Sequence, residues 1–253
     1  NGIGAEPGMP CLQELIRLAR WTRWWLCYRD HDSDGVCEYF HGNDSGWDNS
    51  TAFLRCPPVE LPDLTAFLIV QTDALAALAR QLGRPDRAAA WLVQGAGMLG
   101  ALLEHSFPEG RPLALVSGTH ERVDNDSLIA YLPLILGDRL PQPVRDDMIE
   151  QVRTRFLTEH GFATEAPDSP YYDPDGYWRG PIWAPSTMLL IDGLARCGET
   201  GLAREAAERF CRMVQRSGCA ENFDALTGEG LRDRAYTWTS SVFLLLARDY
   251  LGG

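Results

Sequence analysis

The stretch Ala76-Ala77-Leu78-Ala79-Arg80-Gln81-Leu82-Gly83-Arg84-Pro85-Asp86-Arg87-Ala88-Ala89-Ala90-Trp91 decides the architecture of this chain. On both sides of Gly83-Arg84 apolar residues recur at i, i+3 and i+4, which places them on one face of a helix. The glycine stops the first helix and the second begins almost at once, so 62–82 and 85–106 read as a helical hairpin. The same periodicity puts helices at about 10–29, 126–137, 142–160, 182–197, 200–217 and 236–251, eight in all. Only Leu113-Ala114-Leu115-Val116 approaches a strand pattern, so the predicted fold class is all-α. Two further connections, Gly137 to Pro141 and Gly198-Glu199, are short, whereas 30–61, 107–125, 161–181 and 218–235 are long. Short and long alternate. Stacked hairpins send alternate connections to opposite ends, so the four long loops are expected on one face, and loops of this length are usually functional.

Composition narrows the function. The 253 residues carry a net charge of −12, which argues against nucleic acid and anionic membranes as partners. Every basic residue is arginine, which removes Schiff-base chemistry and the phosphate-binding lysine of nucleotide loops. No unbroken apolar run reaches the ~18 residues of a membrane span, and the first residues lack a signal pattern. The seven cysteines include no C-x-x-C pair; Cys11, Cys27, Cys197 and Cys211 fall in helical patterns and are expected to pack as small hydrophobes. A cytoplasmic setting and one domain over 1–253 are the expectations.

The long loops hold the chemistry. Asn43-Asp44-Ser45-Gly46-Trp47-Asp48 sets a carboxylate beside a ring that can stack on the apolar face of a sugar, and such a carboxyl can donate a proton to a glycosidic oxygen. Tyr177-Trp178-Arg179-Gly180-Pro181-Ile182-Trp183 has the rings, the guanidinium and the close backbone of a sugar subsite. Glu221-Asn222-Phe223-Asp224 brings a second carboxylate segment. Asp44 and Asp224 rival Asp48 and Glu221 within their own loops, and Asp224 reads equally as a turn former.

A second motif, Asp30-His31-Asp32-Ser33-Asp34-Gly35-Val36-Cys37-Glu38, matches the opening of a calcium loop. Asp30, Asp32, Asp34, the Val36 carbonyl and Glu38 fall at ligand positions, with glycine at the bend. Position 12 is His41, so the bidentate carboxylate must come from elsewhere, for which Glu60 is a candidate. A structural Ca2+ is the expected cofactor. A zinc reading of His120-Glu121 lacks a second histidine at helical spacing, and Asp126 is expected to cap the following helix.

Taken in order, Gly46-Trp47-Asp48-Asn49-Ser50, Tyr177 to Trp183, Glu221 to Gly228 and Tyr236-Thr237-Trp238-Thr239-Ser240-Ser241 resemble glycoside hydrolase family 63, and more distantly the trehalases of family 37. The resemblance runs from about Leu26 to Leu251. It implies an (α/α)6 toroid and an inverting hydrolase of α-glucosides or α-mannosides. It assigns Asp48 as general acid and Glu221 as general base. It gives Trp47, Trp178, Arg179, Gly180 and Trp183 to the sugar pocket, with Trp238 closing the far side. The toroid has twelve helices against eight counted, so an incomplete barrel lacking N-terminal hairpins, and self-association through its edge, are expected. A small glycoside or oligosaccharide is the expected ligand; a non-hydrolytic sugar-binding or isomerising toroid and an inactive remnant are the alternatives.

Overall fold

All eight expected segments are helical in the computed structural model, which describes residues 11–55 and 58–252. After α1 (Leu12–Tyr28) comes the first long loop, which contains a one-turn helix, α2 (Gly42–Ser45). α3 (Pro62–Gln81) and α4 (Pro85–Ser106) are the hairpin read from Gly83-Arg84, each with proline in its first turn, where the missing N–H costs no helical bond. α5 (Gln142–Gln151), α6 (Ala184–Arg196), α7 (Thr200–Ser217) and α8 (Thr237–Leu246) follow. α1 packs on α3, and α3 on α4 and on the stretch Leu128–Arg139. That stretch packs on α5 and α6, and α6 on α7 and α8, so the helices form an arc of stacked hairpins. By length and apolarity α3 is able to cross a bilayer, but its faces are taken by its helical neighbours. Phe156, Phe162, Trp183, Phe210 and Phe223 are among the largest wholly buried side chains and mark the centre of the core.

Several expectations are corrected. Leu128–Arg139 is 3₁₀ rather than α: Pro133 removes a donor, and Gly137 leaves helical geometry at φ 60°. Asp126 does not cap it, since Ser127 is the N-cap without a side-chain bond and Asp126 pairs with Arg155 at 2.9 Å. Cys27 is exposed rather than packed.

The four long loops do meet on one face, and they do so partly as short strands, of which the sequence pattern showed only the candidate at 113–116. β1 (Glu38–Tyr39) and β2 (Val59–Glu60) come from the first loop, and β3 (Ala114–Val116) and β4 (Arg122–Val123) from the second. They form an antiparallel sheet with Glu38 opposite Glu60 and Glu60 opposite Leu115. Both residues of β1 and of β2 are buried, so no alternation betrays them. In the fourth loop β5 (Asn222–Phe223) pairs with β6 (Gly230–Leu231), and Phe223 bridges to Ile182 at the end of the third.

Candidate active site

The loop that carries Asp48 is shaped by α2. His41 caps it by accepting from the Asn43 amide at 3.1 Å, and Gly46 ends it in the left-handed region at φ 75°. The next residues are Trp47 and Asp48. A Cβ on Gly42 would stand 2.2 Å from the Asp48 carbonyl oxygen, so the Asp48 segment lies directly on the start of α2. Trp47 is buried and Asp48 is exposed. Trp47 therefore does not bury Asp48. Asn43 is exposed beside it, and the Asp44 carboxylate is engaged by the Phe40 amide at 3.0 Å and by Arg29 at 3.5 Å. That leaves Asp48 as the carboxylate free for chemistry in this loop.

Asn49 joins this loop to the third. Its side-chain oxygen accepts from the Trp178 amide at 3.0 Å and its amide donates to the Gly176 carbonyl at 3.0 Å, a two-bond clamp like a strand pairing. Trp178 consequently lies against Trp47, with ring centroids 4.5 Å apart, and stacks on Trp183 at 4.2 Å with an interplanar angle of 7°. Trp183 is 6.2 Å from Trp238, which is 48% exposed and forms the open end of the row. Tyr177, at φ 65°, is one of four non-glycine residues in the left-handed region among the described residues, and its carbonyl is held by the Trp183 indole at 2.9 Å. Gly180 has φ 154°, and a Cβ there would stand 2.3 Å from the Asp173 carbonyl oxygen, so packing within the loop alone requires glycine. The Nε of Arg179 is buried without a partner.

Glu221 is half-buried, and its amide donates to the Asp233 carbonyl at 2.8 Å across the β5–β6 turn. Asp224 is the turn former: its carboxylate accepts from the amides of Leu226 at 2.7 Å and Thr227 at 3.1 Å. Burial raises the Tyr177 phenol, and the charges of Asp48 and then Glu221 raise it further. The phenol therefore sits in the field of both carboxylates. Arg232 lies 5.2 Å over the Tyr177 ring and pairs with Asp175, which ties the third loop to the fourth.

The acidic loop gathers a donor set that only partly follows its spacing. Asp32 and Asp34 converge with Glu60 and His120, each offering one ligand atom within 4.8 Å of the others, and Asp34, His105 and His120 form an overlapping group. Asp30 and Glu38 each leave one buried carboxylate oxygen without a partner, while the other Glu38 oxygen is paired with His31. Val36 donates its amide to Asp34 at 2.8 Å. Burial, then the charges of Asp34 and Asp32, push Glu60 up to about 8; the nearby Ser117 hydroxyl offsets part of this without reaching the geometry of a bond to either oxygen. Clustered buried oxygens left unpartnered fit a divalent cation. The sequence reading missed His105 altogether, because a helix end and a loop 15 residues further on show no helical spacing. The larger cavities lie elsewhere: one of about 480 Å³ between α1 and α4, one of about 410 Å³ beside Thr158, Pro167 and Leu226, and one of about 270 Å³ beside Trp21, Trp25 and Asp44.

An arc of helical hairpins whose loop face carries Asp48, Glu221 and a row of tryptophans has the build of a carbohydrate-active helical barrel. Residues 10–239 match the mannosylglycerate hydrolase MGH1-like glycoside hydrolase domain, and the chain belongs to that family. A mannosylglycerate hydrolase of Thermus thermophilus is 27% identical over 160 residues, 62% of this chain and 38% of that protein. A periplasmic trehalase of Xanthomonas campestris is 36% identical over 114 residues, 39% of this chain and 19% of the trehalase. The chain thus spans well under two thirds of either relative. The fold matches the crystal structure of a GH63 mannosylglycerate hydrolase from Thermus thermophilus in complex with glucose at a TM-score of 0.79 and 21% identity, covering 92% of this chain and 69% of that one. The expected helical-barrel class holds.

Proposed function

We propose that this domain hydrolyses an α-linked glucoside or mannoside with inversion at the anomeric carbon. One observation carries the reading: the tryptophan row begins at the residue before Asp48 and runs past Tyr177, whose phenol feels both Asp48 and Glu221. In this reading the sugar stacks on the row, Asp48 protonates the departing oxygen, and Glu221 takes a proton from the water that attacks the opposite face. The stacked substrate covers Asp48 and excludes water from the departing oxygen. Arg179 Nε, buried and unpartnered, gains an acceptor in a substrate oxygen. Mannosylglycerate is the first substrate to try, since the family and a 27%-identical relative bear its name. The acidic loop is proposed to hold a divalent cation with a structural role, tying the acid-bearing loop to the second loop. The exposed Trp21, Trp24 and Tyr28 of α1 are proposed to drive self-association.

The test is a panel of mannosylglycerate, glucosylglycerate, trehalose, kojibiose and nigerose, with the first-formed anomer followed by NMR. A β-configured product from an α-linkage is expected. An α configuration at the attacked anomeric carbon would refute inversion, and sugar binding without turnover of any member would make this a binding domain. Inversion further requires a carboxyl separation of ~6.5–9.5 Å; about 5 Å would indicate retention.

A further inference from the structure

We infer that Asp32, Asp34, Glu60 and His120, with His105 beside them, form a mixed nitrogen–oxygen site for a borderline transition dication such as Zn2+, in preference to Ca2+. The donors come from three separate elements. Asp32 and Asp34 lie in the loop after α1, Glu60 is on β2, and His120 is on the turn between β3 and β4. His105 is at the end of α4.

The site is built around His120. Its Nε2 lies 3.1 Å from Asp32 Oδ2, 3.3 Å from Asp34 Oδ2 and 3.9 Å from Glu60 Oε2. His105 Nδ1 is 3.3 Å from the same Asp34 oxygen. A tetrahedral zinc site with bonds of ~2.0–2.1 Å has donors about 3.3–3.4 Å apart, the bond length multiplied by about 1.63. Three of the four distances fall within about 0.3 Å of that edge. Glu60 is 0% exposed, and neither of its carboxylate oxygens has a hydrogen-bond partner, although it faces this cluster. The protein offsets that burial only in part; a cation supplies the rest. Asp32 is oriented from outside by the Gly118 amide, which donates to its Oδ2 at 2.9 Å. Among the described residues, His120 and Ser33, which lies between Asp32 and Asp34, are non-glycine residues in the left-handed region, and strain of this kind persists where the surroundings demand it.

The two imidazoles decide the ion. Calcium takes six to eight oxygen donors and gains little from nitrogen, whereas imidazole with carboxylate suits zinc and its neighbours. The loop spacing points to calcium because it displays only the oxygens.

The test titrates the chelator-stripped full chain with Zn2+, Co2+ and Ca2+ by calorimetry and records the visible spectrum of the Co2+ form. One equivalent of Zn2+ is expected to bind at least about tenfold more tightly than Ca2+, and the Co2+ spectrum is expected to report nitrogen donors in a low-coordinate field. His120→Ala should weaken Zn2+ by about tenfold or more and change that spectrum. If His120→Ala fails to fold, His105→Ala and the native Zn2+-to-Ca2+ ratio decide. Tighter binding of Ca2+, a Co2+ spectrum without nitrogen donors, or no heat from either ion would overturn the assignment. Binding alone is read, so failure here leaves the hydrolase proposal standing.

Discussion

Replacing Asn49 by alanine removes both bonds that fasten the Asp48 loop to the loop of Trp178. Each bond is 3.0 Å long and joins residues more than 120 positions apart. A typical bond contributes ~0.5–1.5 kcal/mol net, and a buried partner left unsatisfied adds to the loss. Trp178 and Gly176 are both buried, so water replaces neither bond fully. The expected destabilisation is about 2–3 kcal/mol, which for a chain of this size lowers Tm by roughly 4–12 °C. The tryptophan row should loosen as well, because Trp178 then rests on Trp47 through ring contact alone. Near-UV circular dichroism reads the row and thermal melting reads the stability. Asn49→Asp keeps the acceptor for the Trp178 amide but loses the donor to Gly176, so it should fall between alanine and wild type. An alanine variant within about 0.5 kcal/mol of wild type, with an unchanged near-UV spectrum, would refute the clamp.

Asp48→Asn is expected to lower turnover of the natural glycoside by ~10²–10⁴-fold but to spare a glycosyl fluoride, which needs less protonation to leave, whereas Glu221→Gln should impair both alike. Losses below tenfold, or activity that follows Asp224→Asn instead, would remove the assignment. The Asp63 carboxyl is pushed up to about 7 by burial, against the ordinary 3.8, with the Tyr39 hydroxyl donating to it at 3.0 Å. The folded chain thus keeps a proton that the unfolded chain releases. Stability should fall as pH rises from about 4 to 7, by at most about 4 kcal/mol from this group, and level off above. Asp63→Asn should flatten that slope in pH-dependent chemical denaturation; an unchanged slope would count against it. Sedimentation velocity should reveal concentration-dependent association that Trp21→Glu weakens, and a monodisperse monomer at high concentration would rule it out.

Helical hairpins were legible in the sequence because burial on one helix face leaves a periodic trace. That trace fails where geometry is set by something other than burial period. Pro133 turns an apparently regular segment into 3₁₀, and β1 is buried at both of its residues, so it has no alternation to read. The aromatic and carboxylate segments were visible as local clusters of unusual chemistry. Asn49 was passed over because its role depends on Gly176 and Trp178, and His105 because its partner, His120, is on another element. Asp44 and Asp224 were separable from Asp48 and Glu221 only once the backbone amides that occupy them had positions.

The contacts that hold the loop face together also fix the order in which it can form. Ser50 meets Ser127 across 77 residues and Thr51 meets Glu165 across 114, whereas α3 turns back into α4 over a connection of a few residues. Closing distant loops costs chain entropy that local hairpins avoid, so helices precede the face that carries the carboxylates. A refolding chain should regain helicity first and its tryptophan environment later. In the native state the same long-range face should be among the first parts to open to hydrogen exchange. Helical content is therefore a poor proxy for an intact site in this protein, and a variant can look folded while its two carboxylates no longer share a wall.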